Sequence, residues 1–153
     1  MPNGFPSALR EDLDEWSAVL GRELSNGIFG ENLTTSHLDV TGAVVGERWR
    51  VGTVLLEVTA PRIPCRTFAG WLGERAWIKT FTQRAAPGAY LRVIQEGQVQ
   101  AGDEVTVLDR PDHEVTIGVA FRALTTEREL LPRLLTVEAL AETARKRLGG
   151  ARD

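Results

Sequence analysis

Arg48-Trp49-Arg50-Val51-Gly52-Thr53-Val54-Leu55-Leu56-Glu57-Val58-Thr59 decides the fold. Its runs Arg48 to Val51 and Val54 to Thr59 are rich in β-branched and aromatic residues and read as strands. In the second run Val54, Leu56 and Val58 alternate with Leu55, Glu57 and Thr59, so one face is more apolar than the other. Working outward, Tyr90 to Ile94, Val105 to Leu108 and Val115 to Phe121 repeat the pattern. Glycines punctuate the whole stretch from Gly27 to about Arg122: Gly30, Gly42, Gly46, Gly52, Gly70, Gly73, Gly88, Gly97 and Gly102. Short strands at this spacing with turn residues between them predict a barrel or sandwich. The expected fold class is mainly β (α+β).

Helical periodicity flanks this region. Leu9, Leu13, Trp16, Leu20 and Leu24 share one face, so residues 8–24 read as an amphipathic helix stopped by Ser25-Asn26-Gly27. Between Thr67 and about Arg84, the spacing of Phe68, Trp71, Leu72, Trp77, Ile78 and Phe81 is helical, predicting one or two short helices inserted between strands. Thr126-Glu127-Arg128-Glu129 fits a capping box, and Pro132 ends or kinks the helix it opens. A last helix is expected from about Thr136 to Leu148, before Gly149-Gly150. The chain therefore divides into an N-terminal helical segment, residues 1–26, a β core, 27–122, and a C-terminal helical tail, 123–153.

Composition narrows the function. The 153 residues carry 18 Lys+Arg against 21 Asp+Glu, a net charge of −3, with 42% hydrophobic and 25% charged residues. This is ordinary globular composition, long enough for one domain with a real core. A weakly acidic chain with scattered cations is a poor nucleic-acid or membrane-surface binder. No run is apolar enough to span a bilayer, and Met1-Pro2-Asn3-Gly4-Phe5 lacks the regions of a signal peptide. One cysteine makes neither an internal disulfide nor a cysteine-rich metal site, and a reducing cytoplasm is the simplest setting.

Ala60-Pro61-Arg62-Ile63-Pro64-Cys65-Arg66 is the first chemical candidate. Two prolines stiffen the backbone and end a central strand. Arg62 and Arg66 flank Cys65, and nearby cations favour the thiolate, which is both a nucleophile and a soft metal ligand. The plain reading is a small buried apolar residue. The second candidate is Gly27-Ile28-Phe29-Gly30-Glu31-Asn32-Leu33-Thr34, which gathers a carboxylate, an amide and a hydroxyl at Glu31, Asn32 and Thr34. Its plain reading is a loop capped by its own side chains. His37 and His113 have no helix-spaced partner, which argues against zinc, and Pro111-Asp112-His113-Glu114 reads as a turn. No glycine-flanked nucleophilic serine occurs, so a small hydrolase has little support. Trp49, Trp71 and Trp77 read as packing residues.

Taken in order, these pieces resemble the MOSC domain family, named after the C-terminal domain of molybdenum cofactor sulfurases. The matching elements are Gly30-Glu31-Asn32-Leu33-Thr34, Val40 to Gly46, Leu56-Glu57-Val58-Thr59-Ala60-Pro61-Arg62-Ile63-Pro64-Cys65, Gly88-Ala89-Tyr90-Leu91-Arg92-Val93, and Gly102-Asp103. They cover roughly residues 27–122, and the tail is similar to that of short stand-alone bacterial members. The resemblance implies a MOSC-type β-barrel core with one N-terminal and two C-terminal helices, and a pocket beside the cysteine. It implies that Cys65 carries sulfur as a persulfide or ligates molybdenum in a pterin cofactor (molybdopterin). Arg62, Arg66, Glu31, Asn32 and Thr34 would then line the cofactor site.

Related proteins reduce N-hydroxylated compounds with electrons from a flavin or iron–sulfur partner, and others adjoin pyridoxal-phosphate desulfurase domains. A separate sulfur or electron donor protein is therefore expected, beside a small-molecule substrate. The family usually places a Gly-Asp turn and a His-Gly-Gly stretch before the Gly-Glu-Asn segment, and neither precedes Gly27 here. An incomplete barrel exposes unpaired strand edges. The expectation is that the N-terminal helix, a second copy in a homodimer, or another protein covers them. The rival reading is a non-catalytic small-ligand or protein-binding module on a degenerate barrel.

Overall fold

Val54, Leu56 and Val58 are buried while Leu55 and Glu57 are half-buried, as a strand with one core face requires. This strand sits at the centre of a curled half-barrel, the backbone of an α+β fold. The computed structural model describes residues 4–29, 31, 33–64, 72–74 and 76–149. Its strands are β1 (Gly4–Leu9), β2 (Leu33–Thr35), β3 (Arg48–Val51), β4 (Val54–Pro61), β5 (Ala89–Gln95) and β6 (Val105–Asp109). Its helices are α1 (Arg10–Leu20), α2 (Trp77–Arg84), α3 (Ile117–Thr125), a 3-10 helix (Arg128–Thr136) and α4 (Glu138–Gly149).

The six strands lie in the order β2-β1-β5-β4-β3-β6. β3 and β4 are joined by Gly52-Thr53, with Gly52 at φ 59°, and pair antiparallel with Trp49 opposite Leu56 and Val51 opposite Val54. β5 pairs antiparallel with both β4 and β1, and β2 is parallel to β1. β4 stops at Pro61, where the missing N–H ends a central strand.

Two apolar clusters hold the molecule together. The first packs Trp49, Val51, Val54, Leu56, Val58 and Leu91 of the sheet against α3, the 3-10 helix and α4. The second joins Leu13 and Trp16 of α1, Trp77 and Phe81 of α2, Phe29 and Phe121. Some of its rings meet edge to face, Trp16 and Trp77 at 4.7 Å and 63° and Phe81 and Phe121 at 6.1 Å and 79°, while Trp16 stacks on Phe81 at 6.2 Å and 9°. Trp49 and Trp77 are thus packing residues, as expected; Trp71 falls outside the described residues.

Four local expectations are corrected. The N-terminal helix is Arg10–Leu20, because Gly21 takes φ 69° and its N–H closes on Ser17 O. Leu24 is buried in the aromatic cluster from the loop beyond. Residues 4–9, expected within a helical segment, form β1 of the main sheet. Val115 to Phe121, expected as a strand, instead opens α3: the Thr116 hydroxyl accepts from Val119 N, and Ile117, Ala120, Phe121 and Leu124 form one buried helical face. The Thr126 capping box does not form. Thr126 closes α3 through its N–H to Arg122 O, and the next helix begins at Arg128 with Pro132 inside it.

Candidate functional site

The end of the sheet where β4 stops brings two of the expected site residues into one row. Arg62 N donates to Gly88 O at 3.2 Å, across the strand end from β4 to β5. Gly88, at φ 78°, presses so close to β1 that a Cβ would lie 2.4 Å from Ser7 O and 3.6 Å from Ala8 Cα. The Ser7 hydroxyl also donates to Ala89 O at 2.8 Å. Ala8 in turn stands opposite Thr34 of β2. Arg62, Gly88, Ala8 and Thr34 therefore line up across four chain segments, about 15 Å from end to end at ordinary strand spacing.

The lead into Cys65 is firmly held. Pro61 and Pro64 are buried, and Ile63 packs against both apolar clusters. Arg62 is half-buried, and its Nη1 is shielded from solvent. Cys65, Arg66 and Asn32, three of the expected site residues, lie outside the described residues.

Glu31 and Thr34 come together, and they bind each other. Glu31 is 8% exposed; one carboxylate oxygen accepts from Phe29 N at 3.0 Å and the other from the Thr34 hydroxyl at 3.0 Å. A carboxylate whose two oxygens each hold a local donor shapes the loop that feeds β2.

A second feature lies between the two edge strands of the half-barrel. It is an open cleft of about 1140 Å³ with Leu33, Thr34 and Thr35 of β2 on one wall and residues 99–105 on the other. Val51, Val54, Leu56 and Val93 line it between the walls, and Ser36, His37, Asp103 and Glu104 supply polar groups. Thr34 is the expected site residue that reaches it; Glu31 and Arg62 do not line it. Among the described residues, no group of three or more His, Cys, Asp or Glu could hold a metal, and no helix is long and apolar enough to cross a membrane.

Three polar arrangements went unread in the sequence. Glu47, 1% exposed, accepts from Trp49 Nε1 and from Arg110 Nε, each at 2.7 Å. Glu57 stands between Arg48 at 3.2 Å and Arg92 at 2.8 Å, joining β3, β4 and β5 on the face away from Leu56. His113 Nδ1 accepts from Val115 N at 3.1 Å, so Nε2 carries the proton it donates to Val45 O at 2.9 Å. The alternation at Glu57 was visible, but its cross-strand arginines require the register.

Comparison with known proteins sets these features in context. The model of the MOSC domain family matches residues 8–106. The uncharacterised protein YflK of Bacillus subtilis (strain 168) is 32% identical over 133 residues, spanning 85% of this chain and 60% of its own length. A Gibberella moniliformis (strain M3125 / FGSC 7600) protein named reductase is 28% identical over 117 residues, which cover 76% of this chain and 20% of that protein. The chain thus spans three-fifths of the bacterial relative and one-fifth of the fungal one. Among solved structures, YiiM from Geobacillus stearothermophilus superposes with a TM-score of 0.85 at 26% identity, over 94% of this chain and 77% of that one. YiiM from Escherichia coli gives 0.80 at 22% identity, over 95% and 78%, and shows the same fold.

Proposed function

Since this chain belongs to the MOSC domain family, we propose that it is a sulfur carrier whose functional atom is Cys65 Sγ. The observation that carries this reading is the anchored lead into that residue. Pro61 and Pro64 are buried, Arg62 N is held by Gly88 O, and Ile63 is wedged against both clusters. A nucleophile that must meet a partner's sulfur in a fixed orientation needs such a rigid base.

In the proposed step the Cys65 thiolate attacks the outer sulfur of a donor persulfide. The donor S–S bond breaks, the donor leaves as a thiolate, and a new S–S bond forms on Cys65, so no external oxidant is needed. Arg62 and Arg66, three before and one after Cys65, favour the thiolate and the anionic persulfide. The donor is a separate protein bearing a persulfide, such as a pyridoxal-phosphate-dependent desulfurase, and the acceptor receives the sulfur by the same exchange.

A second reading, an oxidoreductase acting on N-hydroxylated compounds, draws support from the relative named reductase. There Cys65 would ligate molybdenum, and Arg62 and Arg66 would hold the anionic part of a pterin cofactor, which supplies two-electron reduction of an N–O bond. The described residues fit that group only through Arg62, since Glu31 and Thr34 are engaged with each other. Persulfide chemistry asks for one sulfur and a nearby cation, and for this reason it leads.

The test exposes wild type and Cys65→Ser to glutathione persulfide and weighs both by mass spectrometry. Wild type is expected to gain one sulfur; the serine variant, with an unchanged circular dichroism spectrum, gains none. Uptake by the serine variant, or none by wild type, sinks the carrier reading. Stoichiometric molybdenum in freshly purified protein transfers the assignment to the reductase.

A further inference from the structure

Among the described residues, β6 forms one edge of the sheet and pairs only with β3. Four of its five residues are exposed, Val107 at 38% and Leu108 at 51%. Neither lysine nor proline occurs between Glu104 and Arg110, so two of the devices that keep a strand edge from pairing are missing from this stretch. A bulge takes one residue out of the β3 ladder. Val107 stands opposite Trp49 and Asp109 opposite Arg48, which leaves Leu108 between them without a β3 partner.

We propose that two copies of this chain pair through β6, antiparallel, about a two-fold axis at Val107. Charge complementarity selects both the partner and the register. Centred on Val107, the pairing sets Glu104 of each copy opposite Arg110 of the other, two opposite-charge pairs by symmetry. Arg110 keeps its Nε on Glu47, yet its side chain is 62% exposed, and Glu104 is exposed as well. A register centred on Thr106 sets Asp103 against Asp109, like charges facing each other. A register centred between Val107 and Leu108 leaves Glu104 opposite Pro111 and forms no charge pair. Only the first satisfies both ends of the strand.

The pairing is isologous: each copy has one β6, so the assembly closes at two chains. The sheet order then runs from β2 through β6 of one copy into β6 and back to β2 of the other. The inference rests on this edge and its charges, independently of any chemistry at Cys65.

Sedimentation equilibrium of the full chain tests it. Wild type is expected at twice the 16.8 kDa chain mass. Glu104→Lys replaces two attractions with two repulsions and is expected to weaken the dimer about tenfold. Val107→Lys, at an exposed edge position, is expected to do the same, with circular dichroism unchanged in both. In a Cys65→Ser background Val107→Cys, which lies opposite itself, is expected to cross-link on mild oxidation, whereas Cys65→Ser alone does not. A wild type that stays monomeric, a dimer indifferent to both lysine substitutions, or open-ended growth in which β6 meets β2 each overturns the proposal.

Discussion

Glu47 holds two donors at once in a place water does not reach. Its carboxylate takes the Trp49 indole N–H and the Arg110 guanidinium, and Trp49 is itself fully buried. Glu47→Ala leaves that indole N–H without an acceptor, so a loss of about 2–3 kcal/mol in urea unfolding is expected. The ion pair contributes less, because Arg110 is 62% exposed and screened. Glu47→Gln keeps a carbonyl acceptor for the indole and is expected to cost less than half as much; an equal loss would place the weight on charge instead. Asp12 on α1 offers a pH test. Burial raises its carboxyl above the ordinary 3.8, Glu11 adds to the rise, and Arg84 opposes both. The folded state therefore binds that proton more tightly than the unfolded chain. Ionisation weakens the fold as pH climbs through the carboxylate range, and the full penalty is present above the folded value. Asp12→Asn is expected to melt above wild type at pH 7, with the gap closing as pH falls toward 3.8. A gap that is constant with pH would show that the attraction to Arg84 cancels burial, and one reversed at pH 7 that it outweighs burial.

Gly88 marks the junction where β1, β5 and the end of β4 meet. A methyl group there would run into Ser7 O, and φ 78° is strained for any other residue. Gly88→Ala is expected to lower stability by about 2 kcal/mol or more. It should also speed alkylation of Cys65, because Gly88 O anchors Arg62 N; an unchanged alkylation rate in the folded variant would uncouple the two. Legibility at this scale followed the range of the interaction. The central strands were readable because alternation over Val54 to Thr59 is local and Pro61 stops the ladder. The strand expected at Val115 to Phe121 failed because its β-branched residues end before the helical period becomes visible at Leu124. Thr126 carries a valid capping signature, but the preceding helix uses it first. β1 contains Pro6 and precedes a strong helical pattern, so nothing local announced that the sheet needs it.

At the scale of the molecule, the candidate site shows the same division. Arg62 and Thr34 were nameable from their motifs, yet their common row depends on the pairing of β1 with both β2 and β5. That Glu31 and Thr34 satisfy each other is likewise a matter of three-dimensional geometry. Whether the two apolar clusters unfold together decides how rigidly this site is held. Two connections argue that they do. Ile63, inside the lead to Cys65, packs against both. α3 gives Ile117, Ala120, Ala123 and Leu124 to the first cluster and Phe121 to the second. Phe121 is fully buried, with its ring edge-on to Phe81. Phe121→Ala is expected to cost about 3–5 kcal/mol. Trp16 and Trp77 report on the aromatic cluster and Trp49 on the other, while far-UV circular dichroism reads the sheet and helices. If the clusters form one cooperative unit, fluorescence and circular dichroism trace a single coincident urea transition in wild type, and Phe121→Ala shifts both together. A variant in which fluorescence melts first while circular dichroism keeps the wild-type midpoint would show that the aromatic cluster opens on its own, and the rigid base under Cys65 would then depend on the sheet alone.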